Sequence, residues 1–238
     1  MPERGRRTDA RALSCALAWI GFSALNTSSA ESTSDWPDTP LTRLEALALI
    51  QTLNAEILAS NSATSSLGQW CQAHHLAAEP VIVARRIDAL PEPPSPAQRT
   101  ALQVRAHDPV RYRRVELSCG DHVLSIADNW YVPGRLTAHM NEQLEHTQTP
   151  FGIVVQPLHA HRETLEAKVL WSPLPEGWES NGAGATPPPG GHLQLPAALF
   201  EHRAVLFTPQ RRPIAEVHEV YQRDLPAFPE PQLHQKGD

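Results

Sequence analysis

The chain has 238 residues, 41% of them hydrophobic and 19% charged, with a formal net charge of −6. That length and apolar content suffice for one domain with its own core. The acidic balance argues against nonspecific nucleic-acid binding, which draws on a basic surface, and no helix-turn-helix, RRM or zinc-finger pattern stands out.

The first stretch reads as an address. Arg4, Arg6, Arg7 and Arg11 precede an apolar run from Ala12 to Leu25, and a small-x-small site, Ser28-Ser29-Ala30, follows. These are the parts of a secretory signal peptide, with cleavage expected near Ala30. The run is short for a membrane span. Against Glu3 and Asp9, the four arginines give residues 1–30 a charge of +2, so the rest carries −8 of the overall −6. The expectation is a periplasmic or otherwise exported protein, touching a membrane only through this signal or anchor. Its domain would span 31–225, with a flexible tail over 226–238. Export leaves Cys71 and Cys119 in the mature chain. In an oxidising compartment two cysteines can pair, and two buried free thiols are the alternative. There is no CxxC or HExxH, and His74-His75 and His159-x-His161 have no clear third ligand, so no metal site is expected.

Residues 31–38 read as a flexible start. Thr39 is placed to cap a helix with Pro40 at its first position, and Leu41, Leu44, Ala48, Ile50, Leu53 and Ile57 follow at helical spacing to about Ala59. After a polar break at 60–64, a second helix carries Leu67, Trp70 and Cys71. Val81–Ile87 is a strand and Pro91–Gln98 a linker. Residues 112–119 and 123–132 form a central hairpin turning at Gly120-Asp121. Thr137–Thr147 is amphipathic, with Leu136, Met140 and Leu144 a turn apart. Phe151–Pro157 and Thr164–Trp171 read as strands. The segment 172–196, rich in Pro, Gly and Ser, reads as an extended surface insertion. Arg203–Thr208 and Ile214–Gln222 close the chain as a second hairpin. Hairpin-linked strands with a few helices make the class α+β, built on an antiparallel sheet.

Two charges break the strand pattern. Side chains alternate along a strand, so Arg113 shares an apolar face with Val115, Leu117 and Cys119. Likewise Glu219 shares one with Ala215, Val217 and Tyr221. A charge on a buried face is costly unless paired. An arginine and a glutamate of this kind suit each other across a cavity. The competing readings are a structural buried salt bridge and, for Arg113, a strand end reaching back to water.

Several segments, in order, resemble chorismate lyase. They are Arg113-Arg-Val-Glu-Leu117, Trp130-Tyr-Val-Pro133, Thr149-Pro-Phe-Gly152, Arg212-Pro213 leading to Glu219-Val-Tyr221, and Ser62-Ala63-Thr64 after the first helix. The resemblance covers about residues 40–222. It implies one antiparallel sheet with helices packed on it and an enclosed cavity beneath helical flaps. The implied activity is elimination of pyruvate from chorismate, or a similar enolpyruvyl compound, to give 4-hydroxybenzoate for ubiquinone biosynthesis, without a cofactor. Arg113 and Glu219 would be catalytic, Arg113 holding a carboxylate and Glu219 facing the ring hydroxyl or the leaving ether oxygen. The backbone at Ala63, Phe151 and Gly152 would complete the carboxylate pocket. Val115, Leu117, Phe151 and the flap residues Leu136 and Met140 would form the walls. Counting back from Cys119 selects Arg114 instead of Arg113, and Glu216 is the fallback for Glu219. Asp128-Asn129 stands where the family can place an arginine, and 172–196 has no counterpart. The alternative is a noncatalytic binding protein, a monomer that takes a small aromatic acid in the same cavity.

Overall fold

The computed structural model describes residues 33–181 and 190–230. The expected signal peptide, residues 182–189 of the insertion and residues 231–238 of the tail lie outside them. The fold is α+β: a six-stranded antiparallel sheet with helices packed against it.

Helix α1 (Pro40–Ala59) starts where Thr39 Oγ1 accepts from the Thr42 N–H at 3.1 Å. It buries Ala46, Ile50, Leu53 and Ile57, one face at helical spacing. Helix α2 (Ala63–Ala73) begins under Ser62, whose hydroxyl accepts from the Ser65 N–H at 3.3 Å. The main sheet runs β2 (Ile82–Arg86), β3 (Arg111–Cys119), β4 (His122–Tyr131), β8 (Pro213–Gln222), β7 (Ala198–Phe207), β5 (His161–Val169). Its inner face carries Val115 and Leu117, Ala127, Val217, and Phe200 and Ala204, all buried. Helices α1 and α2 pack there, with α4 (Ala138–His146) and the single turn α5 (Phe151–Val154). On the opposite face Trp130 and Val132 pack around Leu102, just past α3 (Pro96–Ala101).

Four expectations are corrected. Phe151–Pro157 is helical, because Pro150 caps α5 and its N–H groups turn back: Val154 N donates to Pro150 O at 3.1 Å. The end of the Pro91–Gln98 linker is α3's start, fixed by a capping box between Ser95 and Gln98. The start is no loose end, since β1 (Thr33–Pro37) pairs with β6 (His192–Gln194), inside the supposed insertion, which also holds the turn α6 (Trp178–Asn181). The first part of the tail packs as well: Trp36 Nε1 donates to Phe228 O at 2.6 Å, and Thr42 Oγ1 to Glu230 Oε1 at 2.8 Å.

Cys71 of α2 and Cys119 at the end of β3 form a disulfide, 48 residues apart. Both are fully buried. It fastens α2 to the sheet one helix length from α2's first turn.

Candidate binding site

A cavity of about 280 Å³ lies between the inner face of the sheet and the α2–α5 pair. Its apolar walls come from Val115 and Leu117 of β3, Ala127 of β4, Val217 of β8, Leu206 of β7 and the ring of Phe151. The first turn of α2, Ser62 to Ser65, closes one side together with Gly152. A Cβ on Gly152 would stand 3.0 Å from Ser62 Oγ and 3.1 Å from Thr64 Oγ1, so α2 and α5 meet as closely as a glycine permits. The N–H groups of a helix's first turn have no internal acceptor and carry the positive end of the dipole. Those of Ala63 and Thr64 therefore border the cavity as free donors.

Charge enters at one place. Glu219 of β8 accepts from Arg162 Nη1 of β5 at 2.6 Å, and both line the cavity. Strand β7 lies between, with Leu206 opposite Arg162 and His202 opposite Glu219 in the register. The Arg162 side chain is 3% exposed. Burial works against its charge, but the Glu219 carboxylate outweighs burial and holds the guanidinium above its ordinary pKa. Its Nε and Nη2 are buried and have no hydrogen-bond partner. The Tyr221 hydroxyl donates to Glu219 Oε2 at 3.2 Å, and burial followed by the neighbouring carboxylate pushes that hydroxyl well above its usual pKa. Both bonds to Glu219 fall on Oε2, leaving Oε1 as an acceptor. His202 stands beside Glu219 in the register, its Nε2 2.7 Å from Asn54 Oδ1 of α1.

The sequence-derived candidates divide. Ala63, Val115, Leu117, Phe151, Gly152 and Glu219 come together around the cavity. Arg113, Arg114, Leu136 and Met140 are not among its lining residues. Arg113 does face inward and is 2% exposed, but it is not the partner of Glu219. Its Nη2 donates to Thr147 O at 3.4 Å and Thr149 O at 3.3 Å, and its Nε and Nη1 have no partner. Burial, then repulsion from Arg86, brings its pKa down to about 10. It braces the segment from the end of α4 into α5, so it acts on the cavity through Phe151 and Gly152. Arg114 points to the other face and binds Asp128 at 2.9 Å. Glu216 is also on that face, bonded to Arg203 at 2.6 Å. Met140 and Leu136 belong to the packing of α4. Asn129, one of the two residues standing where the resemblance can place an arginine, lines the cavity. Arg162 was missed because the strand was expected to begin at Thr164. It begins at His161, and its outward residues are too exposed to give a clear alternation. Among the described residues no cluster of His, Cys, Asp and Glu is arranged to hold a metal ion.

No family model matches the chain. Among solved structures it is similar to the effector domain of PhnF from Mycobacterium smegmatis, at 12% identity, covering 69% of this chain and 90% of that one, with a TM-score of 0.43. It is similar also to the ligand-binding domain of a putative GntR-family transcriptional regulator from Bordetella bronchiseptica, at 18% identity, covering 59% and 82%, with a TM-score of 0.37. A third likeness is to a possible transcriptional regulator, YydK from Bacillus subtilis, at 13% identity, covering 62% and 61%, with a TM-score of 0.38. These findings correct the expectation of a chorismate lyase: no family model matches the chain, and the similar structures are described as a possible regulator, an effector domain and the ligand-binding domain of a putative regulator, none as a lyase. The lyase chemistry and the ubiquinone pathway it implied fall with it. By sequence, the uncharacterized protein y4mC of Sinorhizobium fredii (strain NBRC 101917 / NGR234) is 44% identical over 218 residues, 91% of this chain and 92% of that protein, and the chain belongs to its family.

Proposed function

We propose that the protein is a noncatalytic binder of a small hydroxylated aromatic acid, held in the cavity between the sheet and the α2–α5 pair. The observation that carries this is Arg162: two guanidinium nitrogens lie buried and unbonded beside Glu219, in a cavity walled by apolar side chains and by uncharged polar ones such as Asn129 and Gln156. An unbonded buried donor costs about 1–3 kcal/mol, more for a charged group. A ligand that accepts there relieves the cost.

Electrostatics sets the orientation. The Arg162–Glu219 pair is already neutral, so a second carboxylate beside it would repel Glu219. A hydroxyl suits it better, accepting from Arg162 and donating to Glu219 Oε1. The carboxylate then falls to the opposite side, at the first-turn N–H groups of Ala63 and Thr64, where a helix dipole favours an anion by about 0.3–1 kcal/mol. The ring between them packs on Val115, Leu117 and Phe151. Arg113 is a positioning residue in this reading.

Calorimetric titration with benzoate and the hydroxybenzoate isomers tests it. At least one isomer is expected to bind more tightly than benzoate by about tenfold to a hundredfold, the worth of a hydrogen bond to a charged group at ~1.5–3 kcal/mol. The double variant Arg162→Met/Glu219→Leu exchanges the pair for apolar groups, a change that buried pairs tolerate. It should stay folded and lose that preference. Absence of saturable binding by every member of the panel defeats the proposal.

A further inference from the structure

Strand β5 (His161–Val169) ends the main sheet, and no described strand pairs with its outer edge. Every residue from 164 to 170 is exposed. Leu165, Val169 and Leu170 are 55%, 47% and 41% exposed, so apolar side chains stand in solvent beside a row of open N–H and C=O groups. A lone lysine on such an edge keeps other strands away. Here Lys168 is spaced two residues from Glu166, and that pattern can answer itself. On the sheet face turned from the cavity, Glu216, Arg203 and Glu166 form a run of ion pairs at 2.6 and 3.9 Å, and Lys168 meets Glu201 at 3.2 Å. Both runs stop at the bare edge, one on a carboxylate and the other on an ammonium.

Two copies related by a two-fold axis perpendicular to the sheet lay β5 antiparallel to β5, with one residue opposite itself on the axis. Centring on Glu166 or on Lys168 sets like charges face to face. Centring on Leu165 puts Glu166 opposite Thr164 and Lys168 opposite Arg162, so neither charge is answered. Centring on Ala167 puts Lys168 opposite Glu166 of the second copy, twice over, and Leu165 opposite Val169. We infer that the protein is not the monomer its sequence suggested but a homodimer, joined edge to edge through β5 in this last register. The two runs of ion pairs then become continuous. Glu216, Arg203 and Glu166 of one copy lead into Lys168 and Glu201 of the other, and no two like charges are neighbours. The open backbone groups find partners, and Leu165 and Val169 leave water. The dimer is independent of what the cavity holds.

Sedimentation of the full chain tests it, with Cys15→Ser so that only the Cys71–Cys119 pair remains. The parent is expected to be a dimer. Lys168→Glu, at an exposed position, turns both cross-copy pairs into repulsions and should weaken the dimer by about tenfold or more. Glu166→Lys/Lys168→Glu exchanges the charges, keeps them opposite in sign across the join and should recover much of the loss. A single added cysteine reads the register. Ala167→Cys puts a thiol on the axis facing its own copy and should oxidise to a linked dimer. Thr164→Cys, opposite Leu170, stands too far from its copy to be bridged. The dimer is overturned by a parent that stays monomeric, or by an association that Lys168→Glu leaves unchanged. A double variant no better than the single one, or a Thr164→Cys that links as readily as Ala167→Cys, overturns the register.

Discussion

Burial first, and then the Arg162 guanidinium, hold the imidazole of His202 down at about 4, against the pull of Glu219. An unfolded chain titrates histidine near 6.5. Above that pH neither state binds the proton. Between about 6.5 and 4 the unfolded chain takes it up and the folded one does not, so stability falls as the pH falls and levels off below 4. At 1.36 kcal/mol per unit, this one group removes roughly 3 kcal/mol across the window. Urea unfolding at pH 7, 5.5 and 4.5 should show the decline, and His202→Gln should flatten that part of it. A slope unchanged by the substitution would acquit His202. At this scale the sequence discloses Glu219 and Arg113, since each is a lone charge on an apolar alternation. It does not disclose that they are strangers. Pairing depends on which strands become neighbours, and Arg162 comes from a strand with no alternation to read.

The contact between α2 and α5 is made by the absence of a side chain. Gly152→Ala would bring its Cβ to 3.0 Å from Ser62 Oγ and 3.1 Å from Thr64 Oγ1, so those hydroxyls must give by a few tenths of an ångström or lose their places at the start of α2. Overpacking of this kind costs about 1–3 kcal/mol. The variant should melt earlier, and Ser62→Gly, which costs an N-cap only a few tenths of a kcal/mol, should restore part of the loss. A single variant as stable as the parent would show that the seam is slack. Elements with a long, consistent period are legible: α1 from its apolar stripe and Thr39-Pro40, and the β3–β4 hairpin from its alternation and Gly120, at φ 57°. Phe151–Pro157 is not. A short apolar run suits strand and helix alike, and only the cap at Pro150 decides it.

For the molecule as a whole, the Cys71–Cys119 bridge closes a loop of 48 residues. Chain entropy alone values such a loop at about 4 kcal/mol. The paired form should therefore outlast a Cys71→Ala/Cys119→Ala variant in urea by several kcal/mol, and alkylation of unreduced, unfolded protein should find no free thiol at either position. The class follows from the hairpin-linked strands and the few helices among them. Strand order does not, because β1–β6 and β4–β8 join residues far apart in the chain, and such pairings leave no local mark. That order bears on biosynthesis. β8 is among the last elements made, yet it sits between β4 and β7 and joins β2-β3-β4 to β7-β5. Until β8 has been made, β2-β3-β4 and β7-β5 are two half-sheets without the strand that joins them, and the cavity lined by Val217 and Glu219 is incomplete. A helper that shields strand edges has its work to do in that interval, and a stop codon between Phe207 and Pro213 leaves two sticky halves for the proteases to clear.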